Sequence, residues 1–422
     1  MPNLLFKNIT LMISDMMDQV GLDDTQHGKR VAFMATQCAR YVSFEHFDQV
    51  DIFTAALLHD IGVSCSQEHE LLVTILDWEK AQTHCLDGAV RMKSLPFYAP
   101  YADAIYYHHT HWQTLADEQQ VSQDSKSLAN LIFLVDRVDA LLFQYLQQNP
   151  DDEAIHARNT IQQNIQSLPG YFAPELVEAF LKASAVDAFW FQLDAAHIPR
   201  YMNSQTLDRS IELSPQDVEA VAFILAAAID AKSPFTAEHS TLVGELAYFL
   251  AQQFGLPDSR CQQLKLAGYL HDIGKLHIPD SILEKEGPLT EKETIAMRRH
   301  GFEARDILQQ VEHFSEIADW ACHHHEFLDG SGYPYQLTAE QIPTETRILT
   351  IADIFQALAQ KRPYRDSMTQ QQVISVLDKL GAEGKVDTII LELVHQHANA
   401  CWQLANGISA QSPIKSDAIQ AK

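Results

Sequence analysis

Apolar residues recur through most of the chain at spacings of three and four. Leu242, Val243, Leu246 and Leu250 form one such stripe, and Ile348, Ile351, Ala352 and Phe355 another. This period places apolar side chains on one face of an α-helix. The period-two alternation of a half-buried strand, bounded by turn residues, is hard to find. The expected fold class is therefore all-α, with helices packed into bundles. One helix start is well marked: Ser214-Pro215-Gln216-Asp217 offers an N-cap serine, a proline at the first helical position and an acid at the third, ahead of the apolar run Val221 to Ile229.

The mixed, polar stretch before that start, with Pro199 and Asn203, predicts a boundary. We expect one domain over 1–195, a linker over 196–213, a second domain over 214–405 and a polar tail over 406–422. A chain of 422 residues exceeds the size at which one core keeps growing, so two or three domains of roughly 150–200 residues are expected. The segment DEQQVSQDSKS from Asp117 reads as an exposed loop. No apolar run approaches the roughly 18 residues of a membrane span, and the N-terminus lacks a basic leader followed by an apolar core. Cysteines at 38, 65, 85, 261, 322 and 401 make neither a disulfide framework nor a CxxC pattern, so the expected location is cytoplasmic.

Charge narrows the partners. Lys+Arg 30 against Asp+Glu 56 gives a net charge of −26, with no Lys/Arg-rich run. A nucleic-acid polymer or an anionic membrane surface is thereby disfavoured. Handling of a phosphate would need a bound cation.

The second half carries His239, His271-Asp272, His300, His324-His325 and Asp353, nearly all on or beside apolar helical faces. A single such histidine reads as a core residue bonded to a neighbour. Seven buried titratable groups cost several kcal/mol each unless something compensates, and a metal centre does so. The first half repeats the pattern. His27 precedes His59-Asp60 by 32 positions, as His239 precedes His271-Asp272; His84 precedes His108-His109 by 24, as His300 precedes His324-His325. Asp136 and Asp353 close the two sets, which are offset by 212–217 positions. Two copies of one helical domain follow.

Consecutive residues of a helix point roughly 100° apart, so His271 and Asp272 can both reach one pocket while the carboxylate bridges two cations. In this reading His239, His271 and Asp353 complete one shell, and His300, His324 and His325 the other. Imidazole and carboxylate ligands suit Fe, Mn, Co, Ni or Zn. Two cations could neutralise a phosphoryl group during in-line displacement, with Lys275 adding positive charge against a phosphate oxygen.

His271-Asp272-Ile273-Gly274-Lys275 resembles the HDIGK signature, and the run from His324-His325-Glu326 through Asp329-Gly330 to Gly332-Tyr333-Pro334 resembles the HHExxDGxGYP signature of HD-GYP phosphodiesterases. The resemblance covers about 212–405 and includes Thr236-Ala237-Glu238-His239. It implies hydrolysis of a 3',3'-cyclic dinucleotide second messenger to a linear 5'-phosphorylated dinucleotide. The tandem arrangement resembles cyclic GMP-AMP phosphodiesterases, while cyclic di-GMP is the commoner family substrate. By the same resemblance, Asp272 and Lys275 are catalytic, Tyr333 lines the nucleotide site, and Arg362, Tyr364 and Arg365 contact phosphate or base. Phe235 stands where some members place a third-metal glutamate, so two divalent ions are expected.

The first half resembles an HD domain that keeps His27, His59, Asp60, His84, His108, His109 and Asp136 as a second metal set. Val63 replaces the lysine, however, and His108-His109-Thr110-His111-Trp112 leads into no GYP loop. Two readings stay open: a degenerate domain retained for packing, regulation or formation of a homodimer, or an HD-type 5'-nucleotidase acting on the linear product. For the whole chain, the rivals are a non-catalytic dinucleotide sensor and a general nucleotide phosphohydrolase.

Overall fold

The structure, a computed structural model, describes residues 4–18, 26–63, 68, 71–72, 75, 81–205, 211–232, 238–360 and 367–408. Phe235, Thr236, Ala237, Arg362, Tyr364 and Arg365, the stretch 206–210 and the tail beyond 408 lie outside the described residues.

The chain folds as two helical copies. In the first, helices Phe6–Met17, His27–Cys38, Gln49–Leu57, Gln82–Lys93, Ala102–Tyr107 and Gln123–Gln148 run in order. Pro215–Ala231, His239–Phe254, Asp258–Leu270, Glu291–Leu308, Ser315–Cys322 and Thr344–Ala359 repeat them. Shorter helices complete each copy. The sheet among the described residues is a two-stranded ribbon in which Leu4–Leu5 pairs antiparallel with Glu212–Leu213, each strand leading toward the first helix of its copy. No described helix is long and apolar enough to cross a membrane.

Local chemistry explains the element starts. Ser214 Oγ accepts from the Asp217 amide while the Asp217 carboxylate accepts from the Ser214 amide, closing a capping box around Pro215. Thr290 and Glu293 do the same for the helix that carries His300. Of the marked stripes, Val243, Leu246 and Leu250 are buried, as are Ile348, Ile351 and Phe355. Each such side chain stabilises the fold by about 1.5–3 kcal/mol over its exposed state.

Two stretches read as irregular hold regular structure. The stretch 196–213, read as linker, holds helix Ile198–Ser204 and strand Glu212–Leu213. Ile198 and Met202, four apart, are buried, and the Tyr201 ring stands edge-on to Phe33 at 5.0 Å, so a few apolar contacts suffice to dock a mostly polar helix. Of the loop expected from Asp117, the later part is helical, because Ser122 accepts from the Ser125 amide and starts the helix at Gln123. The chain between the copies is also tied to the first helix: Lys7 donates to the Gln205 carbonyl at 2.7 Å and the Phe6 amide to Ile211 at 3.3 Å.

Candidate metal centres

The His271-Asp272 pair stands just past a helix end rather than within a helix. Helix Asp258–Leu270 stops, His271 caps it, and Asp272 opens the 3-10 turn Ile273–His277. Gly274 in that turn packs on the backbone of His300, where a Cβ would overlap the carbonyl oxygen and lie 2.8 Å from the carbonyl carbon. Glycine thus lets the His300 helix approach Asp272 closely.

The two Asp272 oxygens face different histidines. Oδ2 lies 3.3 Å from His271 Nε2 and 3.6 Å from His239 Nε2. Oδ1 lies 3.6 Å from His300 Nε2 and 3.9 Å from His324 Nε2. Asp353 Oδ1 is 3.4 Å from His239 Nε2 and 3.8 Å from His271 Nε2, and its Oδ2 is 3.9 Å from His325 Nδ1. All seven residues singled out from the sequence thus converge on one pocket with two halves.

The ring orientations are imposed from behind. Nδ1 of His271 donates to Gly268 at 2.7 Å, and those of His300 and His324 donate to Met297 and Ala321 at 2.5 Å. His239 Nδ1 donates to the Gln356 side chain at 2.5 Å. Each Nε2 is left as a lone pair aimed into the pocket. Burial holds the His300 imidazole down to about 4 and that of His325 to about 3, and it keeps His324 well below the usual range. Burial would raise Asp272, but His271 and Lys275 outweigh it and hold the carboxyl well below its ordinary value. His271 goes the other way, raised because Asp272 and Asp353 outweigh its burial, so the half of the pocket made by His300, His324 and His325 is the one that burial keeps as neutral donors. Asp272 Oδ1 in one half and His271 Nε2 in the other are buried without a hydrogen-bond partner, a costly state that a cation in each half would relieve. The donor set fits a metal.

The first copy reproduces this arrangement, apart from the ring nitrogen that the last histidine turns to its aspartate. His27 Nε2 is 3.7 Å from Asp60 Oδ2 and 3.3 Å from Asp136 Oδ1; His59 Nε2 is 3.3 Å from Asp60 Oδ2 and 4.0 Å from Asp136 Oδ1. Asp60 Oδ1, again buried and unpartnered, lies 3.4 Å from His84 Nε2 and 3.8 Å from His108 Nε2. His109 Nε2 is 3.8 Å from Asp136 Oδ2. Even the backbone before the first histidine repeats, with Gln26 at φ 75 and Glu238 at φ 72. Non-glycine residues in this left-handed region are uncommon, and here each turns the chain into a ligand helix.

The copies differ around the ligands. Behind His27 stands a carboxylate, Asp139, at 2.7 Å and itself held by Arg30; behind His239 stands the neutral Gln356. Lys275 contacts Asp272 Oδ2, whereas Val63 is buried in the corresponding place beside a cavity of about 20 Å³ lined by Ser14, Asp18, His27, His59 and Asp60. That volume holds roughly one water.

In the second copy the Gly332-Tyr333-Pro334 loop covers the pocket. Glu326, buried, accepts the amides of Tyr335, Gln336 and Leu337 at 2.6, 3.1 and 3.0 Å and so shapes the loop. The Tyr333 ring comes within 4.8 Å of His325, and the Arg298 guanidinium lies 5.2 Å from the Tyr333 ring centroid. Sequence reasoning missed Arg298, Gln356, Asp139 and the shaping role of Glu326. Asp139 and Gln356 each stand three residues after a ligand aspartate, a spacing that could have flagged them; Arg298 gave no comparable signal.

Two stretches, residues 25–141 and 224–390, each match a family model described as HD domain. Over 416 residues the chain is 36% identical to the 3'3'-cGAMP-specific phosphodiesterase 1 of Vibrio cholerae, covering 98% of this chain and 96% of that protein. It is also 39% identical over 155 residues to a cyclic di-GMP phosphodiesterase response regulator of Xanthomonas campestris, covering 36% of this chain and 41% of the regulator. The crystal structure of a cyclic GMP-AMP specific phosphodiesterase from V. cholerae aligns with 97% of this chain and 99% of its own, with a TM-score of 0.61 at 23% identity, which shows a shared fold.

Proposed function

The chain belongs to the HD-domain cyclic-dinucleotide phosphodiesterases, and from that premise we propose that its second copy hydrolyses a 3',3'-cyclic dinucleotide to a linear 5'-phosphorylated dinucleotide. Cyclic GMP-AMP is the favoured substrate, because the relative matching nearly the whole chain is named for it; cyclic di-GMP is the alternative, named for a relative that matches a shorter stretch. The observation that carries the reading is the division of Asp272 between two histidine groups directly beneath Tyr333.

His239, His271, Asp272 and Asp353 would hold one divalent ion, and Asp272, His300, His324 and His325 a second, of iron, manganese or similar type. Such ions supply Lewis acidity toward the phosphoryl oxygens and a water-derived nucleophile at neutral pH. The chain's own groups do the rest. Lys275, poised at Asp272, turns its ammonium to a phosphate oxygen when substrate enters. Tyr333 offers a ring face to a base, steadied by Arg298. Arg362, Tyr364 and Arg365 would contact phosphate or base, as the family resemblance implies.

For the first copy, the complete ligand set favours a second phosphohydrolase over a degenerate domain. Val63 in place of the lysine and the absence of a GYP sequence remove the groups read as dinucleotide contacts in the second copy, while the ligands that would hold metal against a terminal phosphate are kept. We propose that this copy removes the 5'-phosphate of the linear product. Chromatography of reactions with cyclic GMP-AMP and cyclic di-GMP, in Mn²⁺ or Fe²⁺, tests both statements. Asp272→Ala should abolish ring opening, and Asp60→Ala should leave the 5'-phosphorylated dinucleotide to accumulate. Binding without turnover of either nucleotide would instead favour a sensor, and unchanged phosphate release with Asp60→Ala would sink the nucleotidase.

A further inference from the structure

Cys85 directly follows His84, and its fully buried thiol faces the second half of the first copy's pocket. Sγ lies 3.7 Å from His84 Nε2 and 3.9 Å from His108 Nε2, and those two nitrogens are 3.2 Å apart. Asp60 Oδ1 approaches the same nitrogens at 3.4 and 3.8 Å. His109 belongs to the group as well: one ligand atom each from His84, Cys85, His108 and His109 all lie within 4.8 Å of one another. A tetrahedral ion bonded at ~2.3 Å to sulfur and ~2.0 Å to nitrogen sets its donors ~3.5 Å (sulfur to nitrogen) and ~3.3 Å (nitrogen to nitrogen) apart. The observed separations agree to within a few tenths of an ångström. Ordinary packing of a buried cysteine gives no reason for that agreement with two imidazoles at once.

The second copy has no thiol at the equivalent position. Gly301 follows His300, and a Cβ there would lie 2.9 Å from the Cys322 carbonyl oxygen and 3.6 Å from the Pro334 ring of the GYP loop. The Cys322 carbonyl crowds a side chain at this position, and the loop ring already stands at contact distance from its first carbon, so a longer side chain would have to pass both. In the first copy the equivalent position holds Cys85, fully buried, and no GYP sequence follows His109.

We propose that Cys85 is a thiolate ligand of a divalent ion held in the first copy with His84, His108 and Asp60 or His109. The two centres of one chain then differ in kind: the second offers nitrogen and oxygen alone, while the first adds sulfur and so prefers a borderline-soft ion such as Zn²⁺. The proposal rests on the reading that the first copy holds metal, and the test separates the two.

Full-length protein is stripped with a chelator and reloaded with Co²⁺, and its near-ultraviolet absorption is recorded beside its cobalt content. A thiolate bound to cobalt gives a sulfur-to-metal charge-transfer band. The band is expected in the wild type, in Asp272→Ala and in Cys322→Ser, and is expected to vanish in Cys85→Ser. No cobalt retained by Asp272→Ala would overturn metal binding by the first copy. Cobalt retained there without the band, or a band that survives Cys85→Ser, would overturn the thiolate assignment alone. If Cys85→Ser does not fold, X-ray absorption of the zinc-loaded wild type decides: a sulfur scatterer at ~2.3 Å is expected, and a shell of nitrogen and oxygen only refutes the proposal.

Discussion

Replacing Gly274 by alanine tests how the second pocket is assembled without touching any ligand. The new methyl would overlap the His300 carbonyl oxygen and lie 2.8 Å from its carbonyl carbon and 2.9 Å from its Cα. Carbon atoms in contact prefer about 3.5–4.0 Å, so the backbones must separate by roughly 1 Å. Every crowded atom is main chain, and no rotamer change relieves it. Helix Glu291–Leu308 therefore retreats and takes His300, now 3.6 Å from Asp272 Oδ1, with it. His239, His271 and Asp353 stay in place. The overpacking should cost about 1–3 kcal/mol of stability, and a misplacement of about 1 Å in a catalytic constellation about 10²-fold in rate. We expect a folded variant that loses one ion of the second copy by elemental analysis and about 10²-fold in kcat for dinucleotide opening. Wild-type metal content with wild-type kcat would refute the claim that this glycine sets the His300 distance.

Three further outcomes are expected. Lys275→Met should retain its metal but lose about 10²-fold in kcat, read by product chromatography and elemental analysis, because one charge facing the phosphate is gone; loss of metal instead would make Lys275 a scaffold for Asp272. Asp139→Asn should weaken metal retention by the first copy about 10-fold in chelator competition, since it takes the charge from behind His27; equal retention would deny that pair any influence on the ion. The third concerns Asp230, which accepts from the Ser240 amide at 3.0 Å and hydroxyl at 2.8 Å, and whose carboxyl burial pushes up to about 6 despite His239. Its folded value exceeds its unfolded one, so the folded state holds the extra proton, and stability is lost as pH rises from about 4 to about 6. The loss amounts to about 3 kcal/mol above that window, so Asp230→Asn should gain stability relative to wild type between pH 4 and pH 8 in urea titrations of metal-free protein; a difference independent of pH would refute the assignment.

The doubled histidine and aspartate spacing was legible because it is carried by sequence intervals that the repeat preserves: 32 positions from His27 to His59 and from His239 to His271. The helical period was equally legible at Ile348, Ile351 and Phe355, which face the core. Less readable was the break at His271-Asp272, since it depends on Gly274 meeting His300 across the bundle, a tertiary contact with no local signature. The helix Ile198–Ser204 hid for a similar reason: two apolar residues are too few to show a period, yet enough to dock it. Arg298 and Cys85 acquire meaning only through what lies opposite them, Tyr333 in one case and His108 in the other.

Seven of the ligand histidines fall into two groups by what grips their far nitrogen. His59, His108, His271, His300 and His324 are each held by the carbonyl three residues earlier, a partner that no codon change removes. His27 and His239 lean instead on the side chains of Asp139 and Gln356. Substitution elsewhere can drift while the first group keeps its aim, whereas one base change at 139 or 356 retunes the basicity of a ligand without displacing it. Duplicated centres built this way can diverge in ion preference through these two positions while the frame that holds the ions stays fixed.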